Sequence, residues 1–373
     1  MASRRRTLLV LTLAFLAAGG GWAAWWQLSG RYYETTDNAY VAGNLVEVTP
    51  QVAGTVIAIG ADDTDRVQAG QMLVRLDPAD ARVALDQAEA DLARAVREAR
   101  TLYANNLTLE ANVRVREAEQ QRAEEALARR TSLADKGMVT REDFDNARAN
   151  MAAARASLAA ARESLAANRV LTERVKLEDQ PSVLRAAARV REAYLALKRV
   201  EIPAAVSGYV ARRSVQVGQR VAPGTPLMAI VPLEDLWVDA NFKEVQLRDM
   251  RIGQPVRLVA DLYGSHVEYR GKVAGLAAGT GGAFALLPPQ NATGNWIKVV
   301  QRLPVRIALD AADLRRHPLR IGLSMKAEVE IRDTSGAQLA AAPRSGTAYA
   351  TQAFAAPATE AEARVRAIIA AHR

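Results

Sequence analysis

The chain has 373 residues, half of them hydrophobic and 24% charged, which excludes a disordered polymer and a polytopic membrane protein and leaves room for two or three domains. It has no cysteine and only three histidines (His266, His317 and His372), far apart in sequence. Disulfides, thiolate metal sites and a cysteine nucleophile are therefore excluded, and no cofactor or catalytic centre is expected. The 49 Lys and Arg exceed the 41 Asp and Glu by +8, spread along the chain, so nucleic acid is not the expected partner.

Residues 7–28 form a run of 22 without a charge. As a helix rising ~1.5 Å per residue, such a run covers about 33 Å, enough for a hydrocarbon core of roughly 30 Å. Arg4, Arg5 and Arg6 precede it and no comparable basic excess follows. The positive-inside rule then keeps residues 1–6 in the cytoplasm and exports the rest. Trp22, Trp25 and Trp26 fall where the outer interfacial belt would lie. A cleaved signal peptide is the competing reading, but the apolar character continues past Ala17 and Ala18 to Trp26.

Next comes an internal repeat. Val52-Ala53-Gly54-Thr55-Val56 and Val67-Gln68-Ala69-Gly70-Gln71-Met72-Leu73 reappear as Val206-Ser207-Gly208-Tyr209-Val210 and Val221-Ala222-Pro223-Gly224-Thr225-Pro226-Leu227, all at one offset of 154. Short alternating strands joined by glycine turns (Gly54, Gly70, Gly208, Gly224) are expected in each half. The pattern resembles the biotinyl/lipoyl domain, a flattened barrel of two quasi-equivalent halves. Residues 38–79, with a preceding strand, would form one half and residues 200–233 the other. No lysine stands at either junction, so a swinging-arm carrier is not expected.

Between the halves, residues 80–199 hold one of the 23 glycines and one of the 14 prolines. This composition predicts long helix. A seven-residue apolar rhythm runs through Leu85, Ala88, Leu92, Ala95, Ala99, Leu102, Leu109, Val113, Ala123 and Leu127, interrupted by Asn106, Arg116 and Gln120. It returns at Ala147, Met151, Ala154, Leu158, Ala161 and Leu165. These are the inward positions of a coiled coil. Gly137 marks the turn, with the tip near residues 135–140, and Thr140 with Asp143 reads as a helix N-cap. An antiparallel hairpin with arms of about 80–90 Å is expected, its second arm kinked or restarted at Pro181.

Residues 234–334 alternate at strand length, at Leu236-Trp237-Val238, Pro255-Val256-Arg257-Leu258, Gly271-Lys272-Val273, Trp296-Ile297-Lys298-Val299-Val300, Pro304-Val305-Arg306-Ile307 and Met325-Lys326-Ala327-Glu328-Val329. They predict a small membrane-side β-barrel of about six strands. Residues 335–373 read as a flexible tail. A short helix is expected near its end, with Thr359 as N-cap, Glu362 as box partner, and Val365, Ile368 and Ile369 on one face. The fold class is thus α+β and multidomain.

Other candidates carry little chemistry. Gly279-Thr280-Gly281-Gly282 lacks the lysine and helix of a phosphate loop. Asp77 and Asp80, and Glu142 and Asp143, sit where helix N-termini need acids. Arg129, Leu133 and Thr140 allow two readings: ordinary helix-end residues, or a docking surface held far from any core.

The layout of anchor, split lipoyl-like module, helical hairpin and β-barrel resembles the periplasmic membrane fusion adaptors of the HlyD type. The resemblance is specific to the EmrA type in Thr36-Asp37-Asn38-Ala39-Tyr40-Val41, Lys176-Leu177-Glu178-Asp179-Gln180-Pro181 and Trp237-Val238-Asp239-Ala240-Asn241-Phe242-Lys243-Glu244. It is equally so in Asn291-Ala292-Thr293-Gly294-Asn295-Trp296, continuing through Arg306. It implies a non-enzymatic adaptor in the inner membrane with its bulk in the periplasm, assembled as a homo-oligomeric ring. The implied partners are an inner-membrane major-facilitator (EmrB-type) proton antiporter and a TolC-like outer-membrane channel, exporting hydrophobic toxic compounds. The resemblance also implies channel docking by Arg129, Leu133 and Thr140, with Thr in place of the usual Ser. An adaptor of an ABC-driven type I secretion system, or a non-transport envelope scaffold, would share the layout.

Overall fold

The structure is a computed structural model that describes residues 11, 16–17, 19–22, 25–27, 30–173, 175–284, 300–340, 342–343 and 345–373. Arg4, Arg5, Arg6 and much of the expected span lie outside the described residues. Trp22, Trp25 and Trp26 are described, helical and exposed. Among the described residues no helix is long and apolar enough to cross a membrane.

Six strands close a barrel in the order β1 (Tyr33–Ala42), β10 (Trp237–Lys243), β13 (Arg302–Leu309), β12 (Glu268–Leu276), β11 (Pro255–Ala260) and β14 (Ser324–Glu330). All neighbours are antiparallel. Alternation along the strands sends Val238, Ala240 and Phe242, Val305 and Ile307, and Ala327 and Val329 into one core. Of the expected strand Trp296–Val300, residues 296–299 lie outside the described residues; β1 stands between β10 and β14. The strand before the first half-module therefore belongs to the barrel. A register shift between Thr36 and Ala39 lets Thr36 Oγ1 donate to the Asn241 carbonyl at 2.9 Å, while Asn241 Nδ2 donates to Asn38 Oδ1 at 3.1 Å.

The module is two four-stranded sheets. One runs β2 (Val46–Val48), β9 (Met228–Val231), β7 (Gly208–Arg213), β4 (Arg66–Val67); the other runs β6 (Glu201–Pro203), β5 (Met72–Leu76), β3 (Gly54–Ile59), β8 (Arg220–Val221). Each half pairs with the other, and the repeat appears as reciprocal hydrogen bonds. Thr64 N–H donates to Val210 O at 2.9 Å and Gly218 N–H to Val56 O at 2.8 Å. Val56 N–H donates to Gln219 O and Val210 N–H to Asp65 O, both at 2.9 Å. Gly70 and Gly224 both take positive φ, at 84° and 81°. A Cβ on Gly208 would stand 2.4 Å from the Val231 carbonyl oxygen, so that strand crossing needs glycine.

Three helices carry the insertion: α1 (Ala79–Ala134), α2 (Arg141–Thr172) and α3 (Pro181–Lys198). A fourth, α4 (Ala311–Arg316), covers one end of the barrel with Leu314 in its core. The tail differs most from expectation. Its helix, α5 (Ala356–His372), begins three residues before Thr359, with Pro357 in its first turn, and it is docked on α1 and α3. Glu362 closes no capping box; it pairs with Arg191 at 2.7 Å.

Candidate functional site

The hairpin is built outward from its root. Asp77 Oδ1 accepts the Ala79 N–H at 3.0 Å where α1 begins. With no glycine or proline inside it, α1 then runs 56 residues, about 84 Å at ~1.5 Å per residue. Its root buries Leu85, Leu92 and Val96 against Val183, Ala187 and Val190 of α3 and Val365 of α5. Leu92 is completely buried there. Further out, Val113 packs with Leu158, Ala161 and Leu165 of α2. Leu102, Leu127 and Met151 are half-buried along the same stripe. Between the two apolar stretches lies a polar layer. Asn106 Nδ2 donates to Thr172 Oγ1 at 2.6 Å, and Asn168 Nδ2 donates to Asn106 Oδ1 at 2.8 Å. The seven-residue rhythm of Ala161 and Leu165 continues onto Asn168 and Thr172, so these partners of Asn106 could have been found from spacing.

The second arm breaks where the Lys176-Leu177-Glu178-Asp179-Gln180-Pro181 motif stands. A 3-10 turn at Leu177–Asp179 separates α2 from α3, and Pro181 opens α3. The buried Gln180 holds the break, donating from Nε2 to Tyr103 Oη at 3.0 Å and to the Leu171 carbonyl at 2.9 Å. Tyr103 in turn donates its hydroxyl to the Val175 carbonyl. Tyr103 gave no signal in the sequence, because it lies off the apolar stripe.

At the tip, α1 ends in a pair of bonds that need a left-handed residue: Met138 N–H to Leu133 O and Gly137 N–H to Ala134 O, both 2.9 Å, with Gly137 at φ 68°. Thr140 then caps α2. Its Oγ1 accepts the Asp143 N–H at 3.1 Å and donates to Asp143 Oδ2 at 2.6 Å. Arg129 and Leu133 are one helical turn apart on α1 and both exposed, Leu133 by 39%; Met138 beside them is 69% exposed. Arg129 has one loose ion pair, to Glu125 at 3.9 Å. The apolar surface at the tip thus has no intramolecular cover from the turn itself.

A family model described as the EmrA α-helical hairpin domain matches residues 79–200. The multidrug export protein EmrA of Escherichia coli K12 is 48% identical over 86% of this chain and 82% of its own length. The fatty acid resistance protein FarA of Neisseria gonorrhoeae is 49% identical over 90% of this chain and 84% of its own. A solved structure of the periplasmic adaptor protein EmrA covers 80% of this chain and 99% of its own at 19% identity and TM-score 0.41. The chain belongs to the EmrA family of membrane fusion adaptors. This family consists of adaptors and not of enzymes.

Within an EmrA-type adaptor the charged groups do structural work. Asp313 accepts from the Arg270 backbone N–H at 3.1 Å and from its guanidinium at 3.3 Å, and those bonds hold its carboxyl below the usual carboxylate range. Tyr269, buried in the barrel, is pushed up to about 12 by desolvation, and its hydroxyl donates to the His317 carbonyl at 2.9 Å. Among the described residues no group of three or more His, Asp or Glu is placed to hold a metal ion.

Proposed function

We propose that the chain is the periplasmic adaptor of a tripartite efflux system. Residues 7–28 anchor it in the inner membrane, on the strength of their length and the flanking Arg4, Arg5 and Arg6. The barrel and module stand beside an EmrB-type major-facilitator antiporter, which supplies the energy. Modules of several copies pack into a ring, and the hairpins gather into a tube that meets a TolC-like outer-membrane channel tip to tip. The cargo is a class of hydrophobic, membrane-toxic compounds. The relatives named for multidrug export and fatty acid resistance support that class.

The observation that carries the reading is the hairpin: a 56-residue helix reaching about 84 Å and ending in a tip where Leu133 and Met138 are exposed. Arg129 and Leu133 make the channel contact in this reading. The Thr140 hydroxyl is engaged by Asp143, so Thr140 holds the turn in shape and offers its methyl group. The test is Leu133→Arg in a strain lacking other pumps. Resistance to hydrophobic toxins should be lost, and cross-linking from the tip to the outer-membrane channel with it, while expression and membrane insertion persist. Unchanged resistance would remove the tip from the mechanism.

A further inference from the structure

The barrel and the module are joined by two chain segments, residues 43–45 between β1 and β2 and residues 232–236 between β9 and β10. The module and the hairpin are likewise joined by two, residues 77–78 and residues 199–200. Two bodies joined at two neighbouring points keep one free rotation, about the line through those points. A third attachment removes it. The tail crosses both joints.

Its path is fixed by contacts at every body. On the barrel, Ile252 N–H donates to the Ala337 carbonyl at 2.9 Å and Gln338 Nε2 to the Arg248 carbonyl at 3.2 Å. At the first joint the Tyr349 phenol meets Asn44, in the linker itself, and Arg306 of β13; both hold its pKa below the ordinary tyrosine value. Thr351 Oγ1 donates to the Ala205 carbonyl of the module at 2.7 Å. Residues 349–353 and both linkers line one cavity of about 1290 Å³ between barrel and module. At the second joint α5 lies on the hairpin root. Ala361 and Val365 are buried, and Ile368 and Ile369 pack on the same cluster as Leu92. Four ion pairs set its register: Glu362 with Arg191 at 2.7 Å, Glu360 with Lys198 at 2.8 Å, Arg364 with Glu89 at 2.7 Å, and Arg373 with Glu178 at 3.9 Å.

We propose that residues 335–373 are a brace that locks both joints and sets the direction in which the hairpin points from the barrel. Glu362, Arg191 and Tyr349 are its positioning residues. The importance of that direction for meeting a channel rests on the function proposed above; the locking itself does not. The absence of cysteine makes the test direct. Spin labels at Arg100→Cys on the exposed side of α1 and Lys272→Cys on the outside of β12 report the hairpin-to-barrel distance distribution in the full chain, in lipid nanodiscs.

The labelled parent should give one narrow distribution. Deleting residues 356–373 should broaden it on the order of twofold. The deletion also bares the apolar hairpin root, so two milder variants accompany it. Glu362→Arg should broaden the distribution and the added Arg191→Glu should restore it; Tyr349→Ala should broaden it with α5 still in place. Broadening supports the brace whether or not resistance falls. An unchanged width in the deletion and in both point variants would overturn it. Lost resistance with an unchanged width would do the same, and would make the tail a partner-facing element instead.

Discussion

Thr64 and Gly218 occupy matching places in the two halves of the module, 154 positions apart, and both have positive φ, 73° and 84°. Their N–H groups make the matching bonds to Val210 and Val56. Among the described residues Thr64 is the one non-glycine with positive φ. A β-branched residue in that region carries roughly 1–2 kcal/mol of strain. Its side chain is exposed, so Thr64→Gly removes the strain and no packing. Glycine returns ~0.4–1 kcal/mol through the freedom it adds to the unfolded chain. The net expectation is a module stabilised by about 0.5–1 kcal/mol. Gly218→Thr should destabilise by a similar amount, because a Cβ there meets nothing within 4 Å and only the backbone objects. The double variant should lie near the parent. The chain has several domains and one melting curve does not isolate the module, so the assay is amide exchange resolved to peptides over β3 and β7. Faster exchange in Thr64→Gly would refute the strain reasoning, and so would a double variant far from the parent.

Leu92→Ala should destabilise the hairpin root by about 3–5 kcal/mol, since a completely buried leucine sits there in a cluster formed by its own helix and two others. Urea unfolding followed by helical circular dichroism measures it, and a loss under about 1 kcal/mol would mean the root is loosely packed. Tyr103→Phe takes the acceptor from the Gln180 amide and the donor from the Val175 carbonyl. It should cost about 1–2 kcal/mol, seen as faster exchange over residues 173–180 with no change at the tip. Asp313→Asn should lower the melting temperature of the barrel at pH 7. The folded pKa of Asp313 is depressed, so its contribution is present above the ordinary carboxylate pKa of ~3.9 and is lost as pH falls through the folded value. The gap between parent and variant should therefore close as pH falls below about 4, and a gap that stays constant through that fall would assign the effect to packing.

What could be read from the chain divides along a physical line. The repeat was visible because glycine is needed where strands cross, as at Gly208, and where φ is positive, as at Gly70 and Gly224. Thr64 breaks the same rule and so left no trace. The hairpin turn and the restart at Pro181 were visible because glycine and proline act locally. The membership of β1 in the barrel was not, since β1 and β14 pair across almost the whole chain and nothing local marks which sheet a strand joins. In the tail, the apolar face of Val365, Ile368 and Ile369 was evident. Its target was not, because nothing in the local sequence marks that the face meets Leu92, Val183 and Val190 at the hairpin root. At the tip, the residue types of Arg129, Leu133 and Thr140 fit two roles, and the geometry assigns the cap to Thr140 while leaving Leu133 exposed.

The module tolerates so long an insertion because of where the ends of the insertion lie. It leaves from β5 and returns to β6, and these strands pair directly, Val74 opposite Ile202 and Arg75 opposite Glu201, with Arg75 and Glu201 also bridged at 3.3 Å. Closing the loop therefore asks nothing of the module: the two arms start side by side on neighbouring strands, and the entropy of bringing them together is met by sheet pairing. From there the register is kept by polar contacts that an apolar stripe alone would not specify. Arg162 meets Glu117 and Arg169 meets Glu110, both at 2.8 Å, one heptad apart and centred on the same point of the chain, between residues 139 and 140. The polar layer of Asn106, Asn168 and Thr172 lies in line with them. A slip of one heptad would strand those side chains against alanine and leucine, which disfavours it more strongly than the apolar contacts do. Register fixes which residues stand at the turn, so these mid-hairpin contacts, far from the tip, are what keep Leu133 and Arg129 at its end.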